Sequence, residues 1–524
     1  MKNILEIAFS IGLKDNDIVQ YGSYRAKIIH SIYERIINNP SGKYIIVTGI
    51  TPTPYGEGKT TTAIALADSL TKLGKKTILT LRQPSIGPLL GVKGASGGGK
   101  AQIVPIEDFN FGVLTDTYAI SLSHNLLSAA IDSHIYFGNS LEISNILWNR
   151  TIDVNDRSLR NVKIKVKEKE FETKFIITAA SEIMAILSLS KDIFDLRNRL
   201  GKIIVATNKN NEFIYAKDLK CAGAMTALLK DTINPNLMQT INETPVIIHT
   251  GPFANISHGN SSIIADKIAI KLADYVVTES GFGTDCGFEK LCNIKCRESG
   301  IYPCLAILVC SIRGIKIYND LEKGCQYNLK KHIENINIHG IPVIVAINRF
   351  DNDTLYDLEY VKNKAKEYGA YEAIICEPYQ KGYEGTMELA NTITQISFEK
   401  NRFKFLYDLS LPIKEKIEII ATKIYGADGI ECENEIEEKI SFLESKGFIN
   451  MPVCIAKTQF SLSHDPKLKD YLHFRIPIKD VMVANGAGYL IALCGNIHLM
   501  PGLPRYPIFM NIDINEKGEI IGIK

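Results

Sequence analysis

Short apolar runs punctuate the chain: KYIIVTGI (43–50), KKTILTL (75–81), KIIVATN (202–208), TPVIIHT (244–250), YVVTES (275–280), CLAILVC (304–310) and IPVIVAINR (341–349). They are apolar nearly throughout instead of alternating, which marks parallel strands covered on both faces. Between them lie stretches of helical periodicity such as TTAIALADSLTKLG (61–74), stopped by Gly74, and SSIIADKIAIKLAD (261–274). The strand, loop, helix, strand order around residues 43–81 is a βαβ unit. The fold class predicted is α/β: a P-loop NTPase-like domain on a mainly parallel sheet, with smaller appended α/β domains.

Other stretches fill in this outline. Residues 18–38 read as one helix, and an N-terminal helix is expected before them in place of a signal segment. KVKEKEFETKF (165–175) reads as an exposed hairpin or edge. After it, FKFLYDLSLPIKEKIEIIATKIYG (403–426) and EIEEKISFLESKG (435–447) carry two amphipathic helices, the second closed by Gly447. From about 450 onward short strands, prolines and glycines dominate, with a compact turn at MPGLPRYP (500–507). Three units are expected: 1–340 as a large α/β domain, 341–450 as a second α/β domain, and 451–524 as a small C-terminal domain.

Composition narrows the function by exclusion. The formal net charge is +2, so nothing calls for nucleic acid, and an anionic substrate must be caught locally. No apolar run is long and charge-free enough to span a bilayer. The 11 cysteines include no CxxC, and free thiols in a reducing cytoplasm are the simplest reading. Six of them fall between Cys286 and Cys325 without a four-ligand spacing, so burial is expected rather than a metal.

The strongest chemical signal is TPTPYGEGKTTT, Thr51 to Thr62, set between a strand and a helix. Gly56 and Gly58 permit a tight turn whose backbone N–H groups face inward, and the helix start adds free donors, together an anion cradle. Lys59 can reach the outer phosphates of ATP, and Thr60 can ligate Mg²⁺. The general pattern would place glycine where Thr53 stands. A second glycine-rich loop follows Arg82, LRQPSIGPLLGVKGASGGGKAQIVPIED (81–108), with glycines at 87, 91, 94, 97, 98 and 99. Arg82 closes its strand where such folds bind ligands, and its planar fork suits a carboxylate and then an acyl phosphate. Lys93 and Lys100 are weaker candidates, equally read as solvent-exposed.

TPTPYGEGKTTT, LRQPSIGP, GASGGGKAQIVPIEDFN, HTGPFANISHG, ADYVVTESGFGTD, PVIVAINRF, MPVCIAKTQFSLSHDP and GNIHLMPGLP occur in this order along nearly the whole chain. Together they resemble the formate–tetrahydrofolate ligase family. The resemblance implies ATP-dependent ligation of formate to tetrahydrofolate through formyl phosphate, giving 10-formyltetrahydrofolate, ADP and phosphate. It implies nucleotide contacts at Thr51, Gly56, Glu57, Gly58, Lys59, Thr60 and Thr61, with Thr60 on the metal. It implies catalytic roles for Lys59, Arg82 and Asp116, and a pteridine slot between Phe350 and Tyr379. A K⁺ or NH₄⁺ requirement and a homotetramer are further implications. His258 and Asp285 are read as structural hydrogen-bonding groups rather than secure ion ligands.

The chain departs from the family pattern in clusters. Gln83 stands for a glutamate, Lys100 for a tyrosine, Tyr118 for a histidine, His124 for an asparagine, Asn260 for a cysteine and Tyr379 for a tryptophan; Asn485 interrupts a run of small residues. Asp116 survives in the altered segment 111–120. Two alternatives therefore stand beside the ligase: a divergent enzyme with another acyl or pterin substrate, and a non-catalytic nucleotide- or folate-binding protein.

Overall fold

The computed structural model describes residues 1–93, 97–167, 169–317, 320–398, 402–468, 473–495 and 497–522. The architecture is mixed α/β, with a large central sheet and smaller appended sheets and helices. The central sheet is 11-stranded. Its strands are β1 (Ile18–Gln20), β2 (Ala26–Ile28), β3 (Lys43–Gly49), β4 (Thr77–Leu81), β5 (Ile103–Val104), β6 (Asn236–Thr240), β7 (Pro245–Ile248), β8 (Tyr275–Gly283), β9 (Leu305–Cys310), β10 (Val343–Asn348) and β11 (Glu372–Cys376). They run in the order β1-β2-β6-β7-β4-β8-β3-β9-β10-β11, with β5 beside β6. From β7 to β11 every pairing is parallel; β1, β2, β5 and β6 pair antiparallel.

The uninterrupted apolar runs do what their pattern predicts. Every residue of β4, β9 and β10 is buried, because helices cover both faces of the sheet. Helix α1 (Lys59–Lys72) crosses over from β3 to β4, with Gly74 beyond its end at φ 74°. Helix α2 (Leu114–Tyr136) and helix α3 (Ile263–Leu272) follow further along. The hairpin expected near 165–175 forms from Val162–Val166 and Lys169–Thr173, and helices form at Ile4–Ser10, Ile413–Ile420 and Asn434–Ser445.

Two expectations need correction. Residues 18–38 are not one helix: β1 and β2 form a hairpin and only Ile32–Ile36 is helical. Gly22 takes φ 77° at the reversal, and β2 is drawn into the sheet by pairing with β6. Tertiary pairing overrides the local helical period there. The run 202–208 lies outside the parallel sheet. Its strand, Ile204–Asn208, is the centre of a separate three-stranded antiparallel sheet with Ile143–Ile146 and Phe213–Tyr215. A short apolar run cannot by itself reveal which sheet will cover it.

The C-terminal residues have their own core, with Ile417, Tyr425, Val453, Phe474 and Leu490 among its members. Two buried lysines brace this region. Lys416 donates to the carbonyls of Leu409 (2.9 Å), Met451 (3.0 Å) and Ile449, and desolvation pushes its amine down to about 8. Lys457 pairs with Asp285 at 2.5 Å, 1% and 0% exposed, and also donates to Ser461 O. The second pair ties the C-terminal region to the loop that follows β8. Removing one member of a buried pair leaves the other charge uncompensated. Lys457→Met is therefore expected to lower stability by about 3–5 kcal/mol, read from the urea midpoint.

Candidate functional site

At the carboxyl edge of the sheet, the loops after β3, β4, β8, β9, β10 and β11 converge. The loop after β3 reaches α1 through Gly58, which sits at φ 78°. A Cβ at 58 would stand 2.2 Å from Asn348 Nδ2, and that same nitrogen donates to Glu57 O at 3.0 Å. Glycine is thus required both by the left-handed backbone and by the close approach of β10. The Glu57 side chain turns inward, accepting from Thr53 N at 2.7 Å and from Ser311 Oγ. Thr51 N donates to His332 Nε2 at 2.8 Å, and His332 Nδ1 meets Thr284 Oγ1 at 2.6 Å. Burial pushes His332 down to about 4, so this ring is a neutral acceptor for the loop. Thr51, through its backbone N and its hydroxyl beside His332 Nε2, and Glu57, through its carboxylate, thus tie the loop to its neighbours.

Lys59 folds back along the end of β3. A Cβ on Gly49 would lie 2.9 Å from Lys59 Cδ. Arg82 donates to Pro252 O at 3.0 Å and lies flat against Gly281, where a Cβ would come within 2.9 Å of the guanidinium. Thr60 Oγ1 donates to Glu279 Oε2 at 2.8 Å. Glu279 is paired with Val47 of β3 across the ladder, and the register then slips before Gly283 rejoins at Gly49. The irregularity frees residues 280–282 from the ladder beside the loop that follows β3.

These groups share one field. Burial lowers the Lys59 amine from its ordinary value; Glu279 and then Glu57 raise it, and Arg82 lowers it further. Burial likewise lowers Arg82, opposed by Glu279. Two partly buried cations thus have Glu279 in common, with Glu57 acting on Lys59 as well, an arrangement that favours an anionic ligand. The hard oxygens of Thr60 and Glu279, side by side, are the donor set Mg²⁺ prefers. Sequence reasoning passed over Glu279. The available signal was an acid at the carboxyl end of an apolar strand, in a segment that precedes a glycine-rich loop.

The remaining candidates fall in two places. Phe350 follows β10 and Tyr379 follows β11, so adjacent parallel strands present both aromatics at the same edge. Gln380 Nε2 donates to Asp351 Oδ1 and links the two turns. Tyr379 is 58% exposed and backs onto the second glycine loop: Lys100 N donates to Tyr379 O at 2.9 Å, and a Cβ on Gly99 would fall 1.9 Å from that oxygen. Lys100 itself is exposed. Gly94 and the side chain of Lys93 lie outside the described residues.

Asp116 is not brought to Lys59 or Arg82. It lies in the first turn of α2, 3% exposed, accepting from Lys27 Nζ at 2.8 and 3.1 Å and from Asn236 Nδ2 at 2.7 Å. Burial raises its carboxyl and Lys27 opposes that. Next to it, Gln83 donates through Nε2 to Val113 O (2.9 Å) and Thr117 Oγ1 (2.6 Å), fixing the end of β4 to the start of α2. Asp285 is a structural group, as expected, through Lys457. His258 differs from expectation: it is fully buried, yet neither ring nitrogen meets a hydrogen-bond partner among the described residues. Burial, with Lys295, Arg82 and Lys290 nearby, keeps it neutral.

The cysteines between 286 and 325 are buried except Cys304, and burial raises their thiols. Among the described residues no helix is long and apolar enough to cross a membrane. Compared with known families, the chain matches the model described as formate–tetrahydrofolate ligase over residues 1–524.

Two outcomes are expected from this geometry. Protonated Lys59 is lost as pH rises through its folded value, and removing Glu279 lowers that value. In Glu279→Gln the alkaline loss of ADP affinity should therefore begin at lower pH than in the unmodified protein. A limb that stays in place in calorimetric titrations would show that Glu279 does not act on Lys59. Gln83→Glu replaces a buried donor with an acceptor facing the Val113 carbonyl, and a loss of about 1–3 kcal/mol is expected in urea unfolding.

Proposed function

The chain belongs to the formate–tetrahydrofolate ligase family, and from that premise we propose that it ligates formate to tetrahydrofolate at the expense of ATP, through formyl phosphate. The observation that carries this reading is the meeting of Lys59, Thr60, Arg82 and Glu279 at one sheet edge. The β3–loop–α1 turn is taken as a P-loop-like phosphate cradle, supported by glycines at 56 and 58 in left-handed backbone.

In this reading the backbone of 56–58 and the start of α1 hold the phosphates. Mg²⁺ on Thr60 and Glu279 would supply charge neutralisation on the phosphoryl oxygens. A carboxylate oxygen of formate attacks the γ-phosphorus, the bond to the β-phosphate oxygen breaks, and ADP leaves. Lys59 and Arg82 face the charge that develops in that step and then hold the acyl phosphate. N10 of tetrahydrofolate, with its pteridine against Phe350 and Tyr379, attacks the formyl carbon. The carbon–oxygen bond to phosphate breaks and the amine proton is released. No covalent enzyme intermediate is needed, consistent with thiols that burial keeps protonated. Asp116 acts here through position: its pair with Lys27 anchors the start of α2, to which Gln83 ties the strand end bearing Arg82.

Residues 341–450 would supply the folate side, and 451–524 would brace the loop after β8. A K⁺ or NH₄⁺ requirement, a homotetramer and a cytoplasmic location accompany this reading as properties to test.

The test is ADP formation with MgATP and K⁺, adding formate and tetrahydrofolate separately and together, alongside absorbance of the acid-derived methenyl product. ADP and folate product should appear in step. Arg82→Ala should lower kcat by roughly 10²–10³ while ADP binding persists. Absence of coupled product would sink the ligase reading in favour of another acyl or pterin substrate.

A further inference from the structure

Arg313 is an exposed residue in the short helix Ile312–Lys316 that follows β9. Its guanidinium is not loose. The central carbon lies 4.2 Å from the centroid of the Phe350 ring and 5.9 Å from that of Tyr55. One nitrogen donates to Gly56 O at 2.6 Å. A single side chain therefore covers the aromatic wall after β10 and holds a carbonyl of the phosphate loop. Tyr55, on the other side, is 85% exposed and adds little enclosure.

We propose that Arg313 is a displaceable plug on the Phe350 ring, which a planar heteroaromatic ligand must push aside, releasing the Gly56 carbonyl as it does so. The inference rests on the proposed function only for the identity of the ring. A guanidinium and a flat heterocycle compete for the same π face, because both are planar and both gain from lying over it. Arg313 already borders water, so the stack it gives up on displacement is a contact of modest strength. The hydrogen bond to Gly56 makes the two events inseparable. When Arg313 lies on Phe350 the phosphate loop is pinned from outside, and when a ring replaces it that pin is lost. Arg313 is in this sense a positioning and specificity residue, linking the aromatic wall to the phosphate loop without touching the reacting atoms.

The experiment compares the intact protein, Arg313→Ala and Arg313→Lys by calorimetric titration with tetrahydrofolate alone and with adenosine alone. Removing the plug should tighten binding of the displacing ring by about two- to fivefold, the worth of one exposed cation–π contact. Arg313→Lys, which keeps the charge but loses the planar fork, should fall between the other two. A gain confined to tetrahydrofolate identifies the pteridine as the ring, and a gain confined to adenosine identifies the nucleobase; either supports displacement. Unchanged or weakened affinity for both ligands in Arg313→Ala overturns the plug, since a bracing residue would give that result. Lack of any titration in all three proteins overturns it as well. The ligase reading is judged separately, by coupled ADP and folate product in the unmodified protein.

Discussion

Two cations, Lys59 and Arg82, sit partly buried at one sheet edge and share the carboxylate of Glu279, and the remaining features of the site follow from keeping them there. Desolvation works against both charges, and Glu279, joined at Lys59 by Glu57, only partly offsets it. The imbalance favours an anion at this edge, which would supply the charge that the protein withholds. Neither cation could be held this way on a flexible loop. Lys59 is fixed by α1 and the end of β3, Arg82 by the end of β4 and the Pro252 carbonyl, and Glu279 by β8 between those two strands.

The loops that complete the edge are pinned from several directions, each by a polar contact that a floppy segment would lack. His332 holds Thr51, Asn348 holds the carbonyl of Glu57, Ser311 holds its carboxylate, and Lys457 reaches from the C-terminal region to Asp285. Ordering a glycine-containing loop costs backbone entropy. These hydrogen bonds and the Asp285 ion pair offset that cost, so the loop is held in one geometry by the fold itself.

The departures from the family pattern have structural consequences of unequal weight. Gln83 is a neutral clamp, and its amide donates to a backbone carbonyl that a carboxylate would oppose. Asn260 donates to the carbonyls of His258 and Gly287, so it stitches together the loops after β7 and β8. Tyr379 keeps an aromatic face at the mouth and anchors the glycines at 98 and 99, which need to lack side chains to approach it. His124 stacks on Trp148 at 4.1 Å and bonds Ser181 at 2.8 Å, a packing role within α2. Nothing in the structure explains the lysine at position 100.

Local chemistry was legible in the sequence wherever it depended on neighbours along the chain. The apolar runs of β3, β4, β7, β8, β9 and β10, the glycine stop after α1, the cradle at 56–60 and the arginine at the end of β4 each rest on period or on contiguous residue types. The order of the strands does not. It took the folded sheet to set Glu279 opposite Thr60, across 219 residues, to draw β1 and β2 out of a helical pattern, and to place residues 204–208 in a different sheet. It also paired Asp116 with Lys27, 89 residues away. Those outcomes depend on which elements lie side by side, a matter of long-range pairing and burial that no local pattern encodes.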